Sequence, residues 1–253
     1  MKVRFLGTGT STGNPEIGCR CEVCTSSDER DWRLRASVLV ETEGKRILID
    51  CGPDFRMQML KTLAEDYFTD LDGVLLTHEH YDHVGGLDDL RAFCRNGALP
   101  IYAEDYVAEA IRNRISYVFE ENKYPGIPNL ELIPIKNQPL FISGVEIIPI
   151  RLMHGNLPIF GFRINNYAYL TDLKTIPEEE FDKLKDLDVL IINALRQKEH
   201  IAHENVQQAL KNIEKINPRR AYLTHVSHHF GLHSYMEQKL PENVFIAYDG
   251  LVI

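Results

Sequence analysis

Six residues, His78-Glu79-His80-Tyr81-Asp82-His83, follow directly on the apolar run Val74-Leu75-Leu76-Thr77. No other stretch restricts the fold as much. Neutral imidazole and carboxylate are the donors preferred by Zn²⁺ and similar divalent ions. Four such donors released together at the end of a buried strand converge on a small volume. Gly85 and Gly86 come next, where a chain must turn tightly before the helix expected through Leu90. A solvated polar loop does not call for three histidines and an aspartate at this spacing. The fold must therefore bring further donors to the same strand end.

Candidates lie at the ends of other β-like runs. Strands are expected at Lys2 to Leu6, Ser37 to Glu41, Arg46 to Asp50, Gly73 to Leu76, Leu130 to Ile135 and Val145 to Ile150. More are expected at Ile159 to Ile164, Tyr167 to Leu170, Val189 to Ile192, Ala221 to Leu223 and Val244 to Ala247. Asp50, His154, Asp172 and His225 each close or follow one of these runs. Helical spacing of apolar residues predicts helices at Pro53 to Ala64, Asp105 to Val118, Pro177 to Lys185 and His203 to Ile216. Lys123 to Pro128 reads as a loop. Two packed sheets covered by helices fit this order.

A length of 253 residues with 44% hydrophobic and 26% charged residues suits a globular chain, read as a single domain over 1–253. The apolar runs are too short to cross a bilayer. The N-terminal segment lacks the apolar core of a signal peptide, so the cytoplasm is the expected location. A net charge of −9 argues against backbone-led binding of long nucleic acids.

Five cysteines in such a chain argue against a disulfide framework. Cys19, Cys21 and Cys24 instead have the spacing of thiolates around one tetrahedral Zn²⁺, in a loop at about residues 18–25. Such a site needs a fourth donor. His228 has the best spacing, three residues beyond His225, with His229 and His233 as alternatives. Cys51 and Cys94 read as buried thiols.

The strand followed by His-x-His-x-Asp-His resembles the metallo-β-lactamase superfamily, and the resemblance extends over most of the chain. It implies an αββα sandwich, an α/β fold with the site at one edge of two sheets. It further implies one divalent ion on His78, His80, His154 and Asp172, and another on Asp82, His83, His225 and the shared Asp172. Asp50 resembles the carboxylate that orients the histidine loop. A histidine at position 80, where the family's redox-active diiron branch has glutamate, favours a hydrolase. The Gly-Thr-Gly-Thr start at Gly7, the Gly-Cys-x-Cys-x-x-Cys loop and Thr224-His225-x-x-His228 are similar to the PhnP-like phosphodiesterase branch. That branch implies a structural zinc on Cys19, Cys21, Cys24 and His228.

The expected activity is hydrolysis of a small or cyclic phosphodiester by a water activated between two Zn or Mn ions. Asp82 and Asp172 would be catalytic through the metals. His203 resembles a histidine that assists the leaving group just before a helix in phosphodiesterase members, and His200 competes for that role. A helix N-terminus would lower the His203 pKa, leaving phosphate contact as its fallback role. Two rivals share the fold: an RNA 3′-end processing endonuclease, and a thioester or lactone hydrolase. A non-catalytic scaffold is a third, from another class. No membrane partner is expected, and the resemblance makes a homodimer an expectation.

Overall fold

A computed structural model of the protein describes residues 1–120 and 124–253, so Lys123 of the expected loop lies outside the described residues. The first sheet has six strands: β1 (Lys2–Gly7), β2 (Ser37–Thr42), β3 (Lys45–Ile49), β4 (Gly73–Leu75), β5 (Leu99–Glu104) and β6 (Leu130–Ile135), in that order. The second has seven: β7 (Leu140–Ile142), β8 (Val145–His154), β9 (Leu157–Ile164), β10 (Tyr167–Leu170), β11 (Val189–Asn193), β12 (Arg220–Thr224) and β13 (Val244–Ile246). Each sheet is antiparallel at one side and parallel at the other. The first becomes parallel from β3 onward and the second from β10 onward.

This division follows from the connections. Glu43-Gly44 is a tight turn with both residues at positive φ, which closes the β2–β3 hairpin. Parallel neighbours need crossovers instead, and helices supply them. α1 (Phe55–Glu65) links β3 to β4, and α2 (Tyr81–Val84) with a 3₁₀ helix at Leu87–Phe93 links β4 to β5. α3 (Asp105–Arg114) leads to β6. α4 (Val206–Ile216) joins β11 to β12, and α5 (His233–Glu237) joins β12 to β13. β11 is buried along its whole length, as a parallel strand covered on both faces should be.

Three apolar clusters hold the layers together. Val38, Ile47 and Ile49 of the first sheet meet Phe160, Phe162 and Ile191 of the second in a shared core. Leu48, Val74 and Ile101 face outward onto Phe55, Met59 and Val107 of α1 and α3. Leu190, Ile192 and Leu223 face outward onto Val206, Ala209 and Ile213 of α4. The layer order is therefore αββα, the expected sandwich. No helix among the described residues is long and apolar enough to cross a membrane.

Several expected elements differ in extent. Pro177–Lys185 forms only a 3₁₀ helix over Glu178–Leu184. α3 stops at Arg114, followed by a 3₁₀ turn at Ser116–Val118. α4 starts at Val206 rather than His203, because Asn205 and Gln208 close a reciprocal capping box there. β5 and β7 were absent from the sequence expectation. Cys94 is half-buried and not fully enclosed.

Candidate metal centre

The strands of the parallel halves point their C-terminal ends toward one edge of the sandwich, where open α/β sheets place ligands. β3 runs into Asp50, β4 into the histidine loop, β10 into Thr171-Asp172 and β12 into His225. The antiparallel β8 ends there at His154. Asp50, Asp172 and His225 all have left-handed backbones, with φ of 63°, 57° and 53°. Side chains other than glycine adopt this region at a cost, and such strain concentrates at functional sites.

The side chains assemble into two adjoining groups. Donor atoms of Asp82, His83, Asp172 and His225 all lie within 4.8 Å of one another, as do those of His78, His80 and His154. Asp172 also lies within that range of His154 and His203, so its carboxylate stands between the groups. His83 Nε2 is 3.2 Å from Asp82 Oδ2 and 3.1 Å from Asp172 Oδ2. His225 Nε2 is 3.2 Å from Asp172 Oδ1 and 3.6 Å from Asp82 Oδ2. Donors about 2.1 Å from a tetrahedral cation would stand about 3.4 Å apart, so this spacing fits one.

In His83, His78 and His154 the other ring nitrogen is fixed from behind. His83 Nδ1–H donates to Asp50 Oδ2 at 2.7 Å. Asp50 is fully buried and also accepts from the backbone N–H and hydroxyl of Thr77. Thr77 Oγ1 in turn accepts from His78 Nδ1–H at 3.0 Å, and His154 Nδ1–H donates to the Ala202 carbonyl at 3.0 Å. These bonds leave Nε2 of His78 and His83 buried without a hydrogen-bond partner. Fixing one nitrogen and freeing the other is the arrangement that metal-ligating histidines need.

Charge points the same way. Burial opposes ionisation of Asp172, yet His225 and His83 outweigh it and hold the carboxyl well below its usual range. For Asp82, too, burial is overcome by His83 and His225, so it stays ionised. Burial, reinforced by the facing His83, holds His78 neutral, the form that ligates. Burial also opposes charge on His83, but Asp172, Asp82 and Asp50 together raise its pKa well above the ordinary value. Without metal, then, a proton on His83 offsets buried carboxylates that a divalent ion would neutralise directly.

A separate group joins Cys19, Cys21, Cys24 and His228, again with all donors within 4.8 Å of one another. His228 Nδ1 is 3.3 Å from Cys24 Sγ, and the Glu16 N–H donates to the same sulfur. This set of three thiols and an imidazole suits Zn²⁺. Of the alternative fourth donors, His233 is used elsewhere: Arg33 donates to its Nδ1 at 3.0 Å. His229 instead packs its Nε2 against His228 Nε2, at 2.9 Å.

His203 reaches the centre from the loop before α4, with Nδ1 3.7 Å from Asp172 Oδ1. Its pKa is pushed down to about 3 by burial, with Asp172 opposing. The cause is burial and not the helix N-terminus expected from the sequence, since Asn205 caps α4 two residues later. His200 stands at the rim, its ring centroid 5.0 Å from that of His203. Lys174 had no expected role. Its ammonium donates to the carbonyls of His200 at 2.7 Å and His203 at 3.4 Å, and to Gln208 Oε1 at 3.3 Å. It thereby ties the His203 loop to the strand end carrying Asp172.

Sandwich and site together define a protein of the metallo-β-lactamase fold. The chain belongs to the β-lactamase superfamily, whose domain model matches residues 45–226. Within it the chain stands near the PhnP family. The structure of a diphosphatase from that family superimposes with a TM-score of 0.92 and 36% identity, covering 100% of this chain and 96% of that one. Zn²⁺-bound PqqB from Methylobacterium extorquens shares the fold at 17% identity and a TM-score of 0.80, covering 100% of this chain and 99% of that one. An octanoyltransferase of Porphyromonas gingivalis (strain ATCC BAA-308 / W83) is 48% identical over 99% of this chain, which spans only 51% of that protein.

Proposed function

We propose that the chain is a metal-dependent hydrolase of small or cyclic phosphodiesters. One observation carries this reading: a single buried carboxylate, Asp172, stands between two sets of free imidazole nitrogens. His78, His80 and His154 would hold one divalent ion and Asp82, His83 and His225 the other, with Asp172 common to both. Zn²⁺ and Mn²⁺ are both compatible with such donors. A metal pair about 3.5–4 Å apart supplies an activated water and a clamp on the oxygens of a phosphoryl centre.

The protein's own groups then divide the work. Asp50 and Thr77 keep His83 and His78 in the ligating tautomer. The carbonyl of Ala202 does this for His154. His203, neutral at physiological pH, serves as an N–H donor to a phosphoryl or leaving oxygen. That is the phosphate contact foreseen as its fallback, since so low a pKa leaves little imidazolium to act as a general acid. Cys19, Cys21, Cys24 and His228 would hold a structural Zn²⁺. It would pin the loop beside the segment that carries His225.

The whole-length likeness to a PhnP-family diphosphatase supports a phosphorus centre, and the charge of −9 disfavours a long RNA substrate. A second reading has one specific support. The 48% identity to half of an octanoyltransferase favours an acyl substrate, such as an octanoyl thioester. Both readings meet in one experiment on metal-loaded protein. Bis(p-nitrophenyl) phosphate, an octanoyl thioester and a transfer-RNA precursor are offered in parallel. Turnover of the diester above the other two is expected. Cleavage of the thioester with an inert diester would replace the first reading by the second.

A further inference from the structure

A cleft of about 600 Å³ opens from the metal centre, with His80 and His154 at its inner end. Its walls come from two loops that face each other: Asn156 and Leu157 of the β8–β9 hairpin, and Ile201 and Ala202 of the segment before α4. Ile201 is 88% exposed. An isoleucine so fully in water is unexceptional alone. This one stands at the rim of a cleft that ends on a metal-binding site.

The cleft's charge is equally informative. Among the described residues that line it, Lys174 is the one lysine or arginine. Its ammonium is already spent on the two loop carbonyls and Gln208 Oε1. No guanidinium or free ammonium on these walls greets a second anionic group, such as a further phosphate or a carboxylate. Asn156 offers an amide, and Leu157, Ile201 and Ala202 give the walls aliphatic surface. A pocket of this kind binds by removing apolar surface from water.

Resting on the reading of the site as a phosphodiester hydrolase, we propose that this cleft receives an uncharged, apolar substituent of the substrate, with Ile201 as its specificity-determining wall. The substrate class is thus a phosphodiester with one aryl, alkyl or comparably neutral arm, rather than one extended by further charged groups. Lys174 acts as a positioning residue. By holding the carbonyls on either side of Ile201 and Ala202 it fixes the wall at its distance from the metals.

The test separates recognition from turnover. Metal-loaded protein is titrated calorimetrically with phenylphosphonate and with methylphosphonate, which share their anion and differ in the apolar arm. The wild type should bind the phenyl compound about tenfold more tightly, the range one hydrophobic wall contributes to discrimination. Ile201→Ser, a surface change that leaves folding intact, should remove most of that ratio while methylphosphonate affinity stays within about twofold. Lys174→Met should also lower the ratio and Lys174→Arg restore it. Turnover of bis(p-nitrophenyl) phosphate by Ile201→Ser should show a raised KM and an unchanged kcat. Equal affinities in the wild type, no binding of either anion, or a ratio unmoved in Ile201→Ser would each overturn the inference. A preserved phenyl preference in a protein inert toward every diester would instead sink the phosphodiesterase reading and leave the cleft's apolar preference standing.

Discussion

The histidine–aspartate centre and the cysteine–histidine group lie a few residues apart along β12's exit, yet they are held in opposite ways. The first gathers donors from four strand ends spread between His78 and His225, all buried or nearly so except the exposed His80. The second ring nitrogens of His83, His78 and His154 are fixed by Asp50, Thr77 and Ala202. The second draws three donors from one short loop, and only Cys24 among them is buried. Scaffold rigidity positions the first; a bound ion would have to position much of the second. His225-Val226-Ser227-His228 serves both. Thr8 and Thr10 clasp Val226 by backbone hydrogen bonds at 3.0 and 3.1 Å. The contrast separates donors that the scaffold already positions from donors that a bound ion would have to gather.

The largest effect should come from the shared carboxylate. Asp172→Ala removes a donor from both metal positions and leaves buried histidines facing each other. Hydrolysis is expected to fall by more than about 100-fold, beyond the 10–100-fold cost of losing an outer partner. Elemental analysis should show catalytic metal lost and the thiolate-bound ion retained. A variant that keeps its full metal content would break the assignment of Asp172 as the common donor.

Loss of a supporting group should cost less. Asp50→Asn weakens the bond that fixes His83, and activity at saturating metal should drop about 10–100-fold with a matching fall in metal affinity. Gly52→Ala attacks the same support through the backbone. A Cβ at Gly52 would press into the Asp82 carbonyl oxygen, while Cys51 N–H and His83 C=O are bonded at 2.7 Å. The histidine loop would have to shift, so this change should lower metal affinity as well as stability. Unaltered metal binding in both variants would show that the strand ends alone set the geometry.

Cys21→Ser sharpens the contrast from the other side. It should release one metal ion, leave kcat within about threefold, and lower the Tm by about 5–10 °C. That is the scale of losing a ligand held at about 100 times its Kd in a chain of this size. If activity and all metals vanish together, the Val226 segment couples the groups so tightly that they are one site.

Much of this was legible in the sequence because metal ligands at strand ends leave a local mark. Apolar runs ending in Asp50, Asp172 and His225 mark the sheet edge, and His-x-His-x-Asp-His names its purpose. β5 escaped because Pro100, which lacks an amide donor, sits inside it although it is an interior strand. β7 is three residues long with Phe141 exposed, too short for a periodic signal. The Glu178–Leu184 stretch carries helical spacing but opens on three successive glutamates and settles for 3₁₀ turns. Lys174 had no mark at all. Its role depends on two loops meeting through tertiary structure, and a lysine after Asp172 reads as solvated until the carbonyls of His200 and His203 are seen against it.

The smallest effect tests the ground beneath the cysteine–histidine group. His233 N–H donates to Asp31, which also accepts from Ser26 just past the cysteine loop, and Arg33 donates to the His233 ring. Burial, reinforced by Arg33 and Arg30 and opposed by Asp28, pushes the His233 pKa down to about 4. The unfolded chain takes up this proton near pH 6.5. Stability is therefore full above that pH and is lost progressively as pH falls toward 4. Asp249, pushed up to about 6 by burial, works in the opposite sense: the folded state protonates first, so stability is gained as pH falls below 6. Comparing urea midpoints at pH 7 and pH 5 for wild type and His233→Asn isolates the histidine, because Asp249 and the metal groups are common to both. The wild type should lose more stability on acidification than the variant. Parallel losses would mean that the proton reaches this ring in the folded state as easily as in the unfolded chain, and that the base of the cysteine loop is as open as the loop itself.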